Sequence, residues 1–157
     1  KDLHMPPKLA GDITHIEQLG SYFTVDVPGF ANGFFTDVSG LSIEVGVVEQ
    51  QVAGPKGDTI TKKVMGTTSY GDITLKRSLS NNKEFYDWAQ EVVLGKHDKC
   101  RRDGSVAFHD AAGIEVGRWE FYKAFPKKWS ASDLDVGSDD VMTEEITLAI
   151  EGLKRLK

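Results

Sequence analysis

The chain has 157 residues, a formal net charge of −5 at neutral pH and a single cysteine, Cys100. One cysteine excludes an intrachain disulfide framework, and 24 acidic against 19 basic residues argue against a nucleic-acid surface, which needs a basic stripe. No charge-free apolar run approaches the roughly 20 residues of a membrane span, and the start, KDLHMPPKLAGD, lacks the apolar segment of a signal peptide. The expectation is one soluble domain, large enough to bury its own core and not exported by a cleaved signal.

Residues 1–20 hold two prolines and two glycines without sustained periodicity and read as an N-terminal arm, with a single domain over 21–157. From Tyr22, the apolar Phe23, Val25 and Val27 alternate with Tyr22, Thr24 and Asp26 until Pro28 and Gly29 stop a strand. In FFTDVSGLSIEVGVVEQQ the apolar residues change parity: Phe34 and Val38 are even, Leu41, Ile43, Val45 and Val47 odd. Either a β-bulge at Ser39-Gly40 returns both sets to one face, or two shorter strands meet at a corner.

The cluster from Ala53 to Asp58, AGPKGD, predicts a turn, and the β-branched, two-sidedly polar TITKKVM after it completes a projecting hairpin at about 46–66. It carries too little apolar surface to fold against its own domain, so its tip is a candidate contact with a neighbouring subunit: Val52, Ala53, Gly54, Pro55, Lys56, Gly57, Asp58 and Thr59. Beyond it, Ile73 and Leu75 alternate with Asp72, Thr74 and Lys76 as a half-buried strand. The firmest helix spans about 81–95. Phe85, Trp88, Ala89, Val92 and Val93 fall on one stripe, Asn81 and Glu84 form a capping box, and Gly95 suits the αL position past the end.

GKHDKCRRDG reads as a charged loop. SVAFHD, a turn at Ala112-Gly113 and IEVGRWEFYKAF then predict a hairpin covered on both sides, with Trp119 and Phe121 on one face and Val116 and Tyr122 on the other. Pro126 is expected to end it, leaving a loop pinned by Trp129. The last segment, VMTEEITLAIEGL, fits both a helical stripe and, by Ile146, Leu148 and Ile150, an alternating strand. The candidate core is Phe85, Trp88, Val92, Trp119 and Trp129.

Catalytic chemistry is scarce. There is no GxSxG elbow, GPKGDT lacks the Gly-Lys-Ser/Thr ending of a phosphate loop, and His97 with Cys100 is only half a metal site. Asp133, Asp135, Asp139 and Glu144 occupy positions one, three, seven and twelve of an EF-hand count, but Ser138 stands in place of its invariant glycine and no helices flank them. A solvated acidic loop is the better reading, so neither a metal nor a cofactor is expected.

The order YFTVDVPG, FFTDVSGLSIEV, YGDITLKRSL, FYDWAQEVV, WEFYKAFPKKWSASDLD and EEITLAIEGL resembles the inner tail-tube proteins of contractile phage tails and contractile injection systems, from Tyr22 to Leu153. Ser78 departs from a frequent glycine, and VAGPKGDT replaces a Gly-Gly-Asn type of loop. The resemblance implies a mainly β, α+β fold: an antiparallel β-sandwich or barrel-like subunit with one packed helix and a projecting hairpin, the last segment being a strand. It also implies hexameric rings stacked into a hollow tube inside a contractile sheath, driven through a target envelope. The implied partners are further copies of the chain, sheath, baseplate or spike, tube-terminating proteins and a cargo in the lumen, without specific nucleic-acid binding or stable membrane insertion. Assembly in the cytoplasm and a place in a phage tail or injection particle follow. The alternatives are a tube protein of a non-contractile tail or type VI secretion system and, in a different class, a small β-rich ligand- or calcium-binding module.

Overall fold

Alternation of apolar and polar residues sets most of the strands in the computed structural model, which describes residues 20–132 and 142–157. Strand β1 (Tyr22–Val27) ends as expected, the turn closing by a 3.0 Å hydrogen bond from Phe30 N to Val27 O with Gly29 at φ +73°. It leads into β2 (Ala31–Phe35) and β3 (Asp37–Ser39), and then into the two long arms β4 (Ile43–Ala53) and β5 (Thr59–Tyr70). After β6 (Ile73–Ser78) come helix α1 (Glu84–Val93) and the one-turn helix α2 (His97–Cys100). Strands β7 (Arg102–His109), β8 (Glu115–Ala131), β9 (Thr143–Ala149) and β10 (Gly152–Arg155) complete the chain, so the terminal segment is a strand.

The strands outside the long arms follow one antiparallel path, β2-β1-β7-β8-β9-β6-β3, with β10 also on β8. It becomes two leaves because β8 changes neighbours: Glu115 to Ala124 pair with β7, whereas Phe125 to Ala131 pair with β9. The switch lies at Lys123, whose φ of +51° is unusual for a residue with a side chain. Asp103 Oδ1 holds it by accepting a 2.9 Å hydrogen bond from the Lys123 N–H. The ends of the path, β2 and β3, follow one another through Thr36 without pairing, so it does not close into a barrel. The inner faces of the leaves supply Val25, Val27, Phe35, Val106 and Phe121 from one side and Ile73, Leu75, Ile146 and Leu148 from the other.

Helix α1 completes this core. Phe85 and Trp88 are buried, Phe85 meeting Phe35 edge-on at 5.2 Å and Trp88 meeting Phe30 at 5.8 Å. Val92 packs at the margin, but Val93, expected in the same stripe, is 77 % exposed, because the apolar face is narrower than the spacing suggested. The capping box does not form. The N-cap position falls at Lys83, whose side chain makes no capping bond; Asn82 before it accepts from Glu84 N at 3.0 Å, and the Glu84 carboxylate accepts from Asn32 N on β2 at 3.0 Å. At the other end Gly95 does take φ +79°, with Lys96 N to Glu91 O and Gly95 N to Val92 O completing a Schellman arrangement. The charged loop conceals α2, which brings the Cys100 carbonyl to 2.7 Å from Trp88 Nε1 and buries the thiol.

Of the two readings of the parity change near Ser39-Gly40, the corner holds and the bulge does not, and two further expectations fail for physical reasons. Gly40 has φ +86°, and a Cβ there would overlap the Asp72 carbonyl oxygen. Pro126 does not end β8. The second half of β8 has β9 on one side only, and the register slips between Pro126 and Lys128, so the missing N–H falls at an edge and beside an irregularity, where sheets tolerate proline. Trp129 therefore lies in a strand. Nor is the β7–β8 hairpin covered on both sides, since Val116 is exposed; Trp119 is half-buried beneath the Arg155 guanidinium, 5.5 Å from its ring.

A charged residue occupies the apolar row of β6. Arg77 follows Ile73 and Leu75 inward, pairs through Nε with Glu144 of β9, and donates to the Asn82 carbonyl at 3.0 Å. Its guanidinium lies 4.9 Å from the Phe35 ring and 5.2 Å from that of Phe85. Glu144 also accepts from Trp129 Nε1 at 3.3 Å. This network ties both leaves to the start of α1.

Two outcomes check this account. Trp88→Ala leaves a large cavity and an unpartnered Cys100 carbonyl, and is expected to cost roughly 3–5 kcal/mol in chemical denaturation. Arg77→Met strands the buried Glu144 charge, with an expected loss of about 3–5 kcal/mol, most of which the Arg77→Met/Glu144→Leu double variant recovers.

Candidate assembly surfaces

Strands β4 and β5 pair with each other and with no other described strand. They nevertheless continue the second leaf. Ser39 faces Thr74 in β3–β6, and four residues on Ile43 faces Tyr70 with the same offset, so one ladder runs from the leaf into the projecting arm. The join is pinched: Gly71 N donates to Ser42 O at 3.1 Å, and a Cβ on Gly71 would lie 2.8 Å from the Gly40 carbonyl oxygen. Farther out the register slips by one residue between Val45 and Val47, with Gly46 opposite the extra residue.

Directly opposed residues share a face of an antiparallel ribbon. One face therefore carries Ile43, Val45, Val47 and Met65 near the base, then Glu49 opposite Lys63. The other carries Val48 with Val64 and Val52 with Ile60. Met65 is 86 % exposed and Val47 61 %, and Ile43, Val45, Val48, Ile60 and Val64 are exposed as well. The ribbon starts earlier and runs longer than 46–66, and it holds more apolar surface than TITKKVM alone suggested. That surface is spread over both faces, so no single docked element of the same subunit covers it.

At the tip, Gly57 N donates to Gly54 O at 3.1 Å and Gly57 adopts φ +79°, which closes the expected turn. Val52 and Gly54 are half-buried, while Ala53, Pro55, Lys56, Gly57, Asp58 and Thr59 are exposed.

The outer faces of the two leaves differ. On the first, Tyr22 meets Phe34 edge-on at 5.9 Å and stacks on His109 at 4.9 Å, with Val116 and Leu156 exposed nearby. Charge pairs border them: the hydrogen bond from Arg118 holds the Glu115 carboxyl below its ordinary range, and donation to Glu120 raises the Tyr122 phenol. On the second leaf two registered rows are wholly polar, Asp37, Lys76, Glu145, Ser130 and Ser39, Thr74, Thr147, Lys128, while Phe125 and Ala149 form an apolar pair on the same face. Sequence alone did not reveal these rows, because the register of non-adjacent strands is not a local property.

Of the acidic set, Asp133, Asp135 and Asp139 lie outside the described residues, and Glu144 is engaged by Arg77 and Trp129. Among the described residues no group of three or more His, Cys, Asp or Glu side chains is placed to hold a metal ion. No described helix is long and apolar enough to cross a membrane.

Comparison with known proteins bears on these surfaces. The chain is similar, at 25 % identity and a TM-score of 0.70, to a protein in the cryo-EM structure of the PVC extracellular contractile injection system sheath–tube complex in its extended state, covering 85 % of this chain and 87 % of that one. A chain from the PVC sheath/tube terminator shares the fold at 22 % identity and a TM-score of 0.68, covering 99 % and 100 %. Hcp1 from Flavobacterium johnsoniae shares it more distantly, at 18 % identity and 0.51 over 85 % and 94 %. No curated protein sequence matches. The model of the T4-like virus tail tube protein gp19 family matches residues 20–154, and the chain belongs to that family.

Proposed function

We propose that this protein is the repeating subunit of the inner tube of a contractile injection particle or phage tail, forming hexameric rings that stack into a hollow tube. The observation that carries the reading is the β4–β5 ribbon, apolar on both faces and paired with nothing else in its own described chain, in a member of a tail-tube family. Exposed apolar area spread over two faces calls for contacts with other copies. A head-to-tail contact that does not close propagates into a filament.

The sheath–tube, terminator, cap and baseplate structures that this chain resembles support a tube assembled with sheath, baseplate and terminating proteins. Shortening of the sheath would then drive the rigid tube and its cargo through a target envelope. The role is mechanical: the buried network of Arg77 and Glu144 joins leaf to leaf. Assembly in the cytoplasm, before the particle is released or docked at a membrane, fits this reading. A type VI secretion tube is second, favoured only by the more distant Hcp1 likeness.

The arm 1–20 and the domain 21–157 are proposed as the organisation of this subunit, with the tip from Val52 to Thr59 as a contact between rings. Deleting 52–59 should leave the subunit folded by circular dichroism but unable to stack, while the unaltered protein shows rings or tubes by electron microscopy. Tubes of unchanged length in the deletion variant reject the tip as a contact. A strictly monomeric unaltered protein, present in no particle, rejects the tube.

A further inference from the structure

We propose that Asn82 and Glu84, at the start of α1, act together as a side-chain substitute for a strand, closing the outer edge of β2 and keeping that edge out of self-association. The closure belongs to the single subunit, whatever larger particle it enters. Three observations carry this.

The first is hydrogen bonding. Strand β2 ends the sheet path beyond β1, so the main-chain groups on its other side have no described strand to meet. At Asn32 both are nonetheless taken: its N–H donates to Glu84 Oε2 at 3.0 Å, and its carbonyl accepts from Asn82 Nδ2 at 3.2 Å. One donor and one acceptor exchanged with a single residue is what an antiparallel neighbour supplies at a hydrogen-bonded pair. Just past the other end of β2, Thr36 N donates to Lys76 O at 3.0 Å, so the edge is tied at both ends.

The second is how the two side chains are held. Asn82 Oδ1 accepts from Glu84 N at 3.0 Å, which fixes one against the other, and Arg77 Nη2 donates to the Asn82 carbonyl at 3.0 Å. The same guanidinium passes beside Gly33, where a Cβ would overlap it. Phe85, next in the helix, is buried edge-on against Phe35. The helix start is thus seated on β2 from the core side, and Glu84, an acid of the first turn, sends its carboxylate across to the exposed strand at Asn32.

The third is charge. Asp26, opposite Asn32 on β1, lines the same pocket as Asn32 and Glu84. Two carboxylates beside one short edge keep it hydrated and are costly to bury against an incoming strand. The outward main-chain groups of the β4–β5 ribbon face no described strand, whereas those of β2 at Asn32 are already used. Association with further copies is thereby directed to the ribbon and away from β2.

The double variant Asn82→Asp/Glu84→Met tests the closure. The first change keeps an oxygen for the N–H of residue 84 and removes the donor to Asn32, and the second removes the acceptor at similar side-chain length. With the fold checked by circular dichroism, amide exchange is read by NMR on the free subunit, and association by light scattering and electron microscopy. Exchange at Asn32 is expected to be at least roughly tenfold faster, with irregular particles beside whatever the unaltered protein forms. Adding Asn32→Pro, which removes the outward N–H and leaves the ladder to β1 intact, is expected to abolish those particles. Glu84→Gln, which keeps the acceptor, should match the unaltered protein. Unchanged exchange at Asn32, or a folded double variant that associates only as the unaltered protein does, overturns the proposal. So do irregular particles that persist with Asn32→Pro. Where the double variant loses its helix, each change alone decides by the same criteria. If the unaltered protein forms no rings or tubes, the tube reading fails while this comparison still stands.

Discussion

A two-stranded ribbon is marginal in water unless something covers it, and that constraint governs this molecule. Strands β4 and β5 extend from the β3–β6 pair in one register, and their apolar side chains are divided between two faces. The subunit must therefore be rigid where the ribbon is rooted and unfinished where it projects. The root is held by the close approach of Gly40 to Asp72 and of Gly71 to Ser42, where β-carbons on the glycines would not fit.

Behind the root, rigidity comes from a core with an ionic centre. Arg77 reaches inward from β6 to Glu144 on β9, while Phe35 and Phe85 flank its guanidinium and Trp129 shares the carboxylate. Replacing such a pair with apolar residues is often nearly neutral for stability, whereas breaking it is expensive. Its structural consequence here is positional: two leaves and the start of α1 meet at one point, which fixes the leaf from which the ribbon grows. The αL kink at Lys123 does the complementary work, allowing one 17-residue strand to serve both leaves.

Much of this was legible in the sequence. Strand β1, the alternation of Ile73 with Leu75, the Trp88 stripe and the tip turn follow from local periodicity and turn chemistry, which neighbours in space do not override. The misses share a different cause. Arg77 looks like a solvated charge until Glu144, 67 residues away, is placed opposite it. Pro126 reads as a stop because nothing local shows that its half of β8 is an edge. Val93 counts as core on a helical wheel, yet the helix meets a margin there and leaves it exposed. For assembly, the ribbon was visible as a hairpin with no place to dock, whereas the polar rows of the second leaf were not, since they emerge only once strands distant in sequence are in register.

The central claim, that the ribbon is completed by other copies, is tested most directly by hydrogen–deuterium exchange on the free subunit and on the stacked assembly. The account predicts that amides of β4 and β5 exchange quickly in the free subunit and become strongly protected on assembly, while those of β1 and β7 change little. Equal, rapid exchange along β4 and β5 in both states would contradict it.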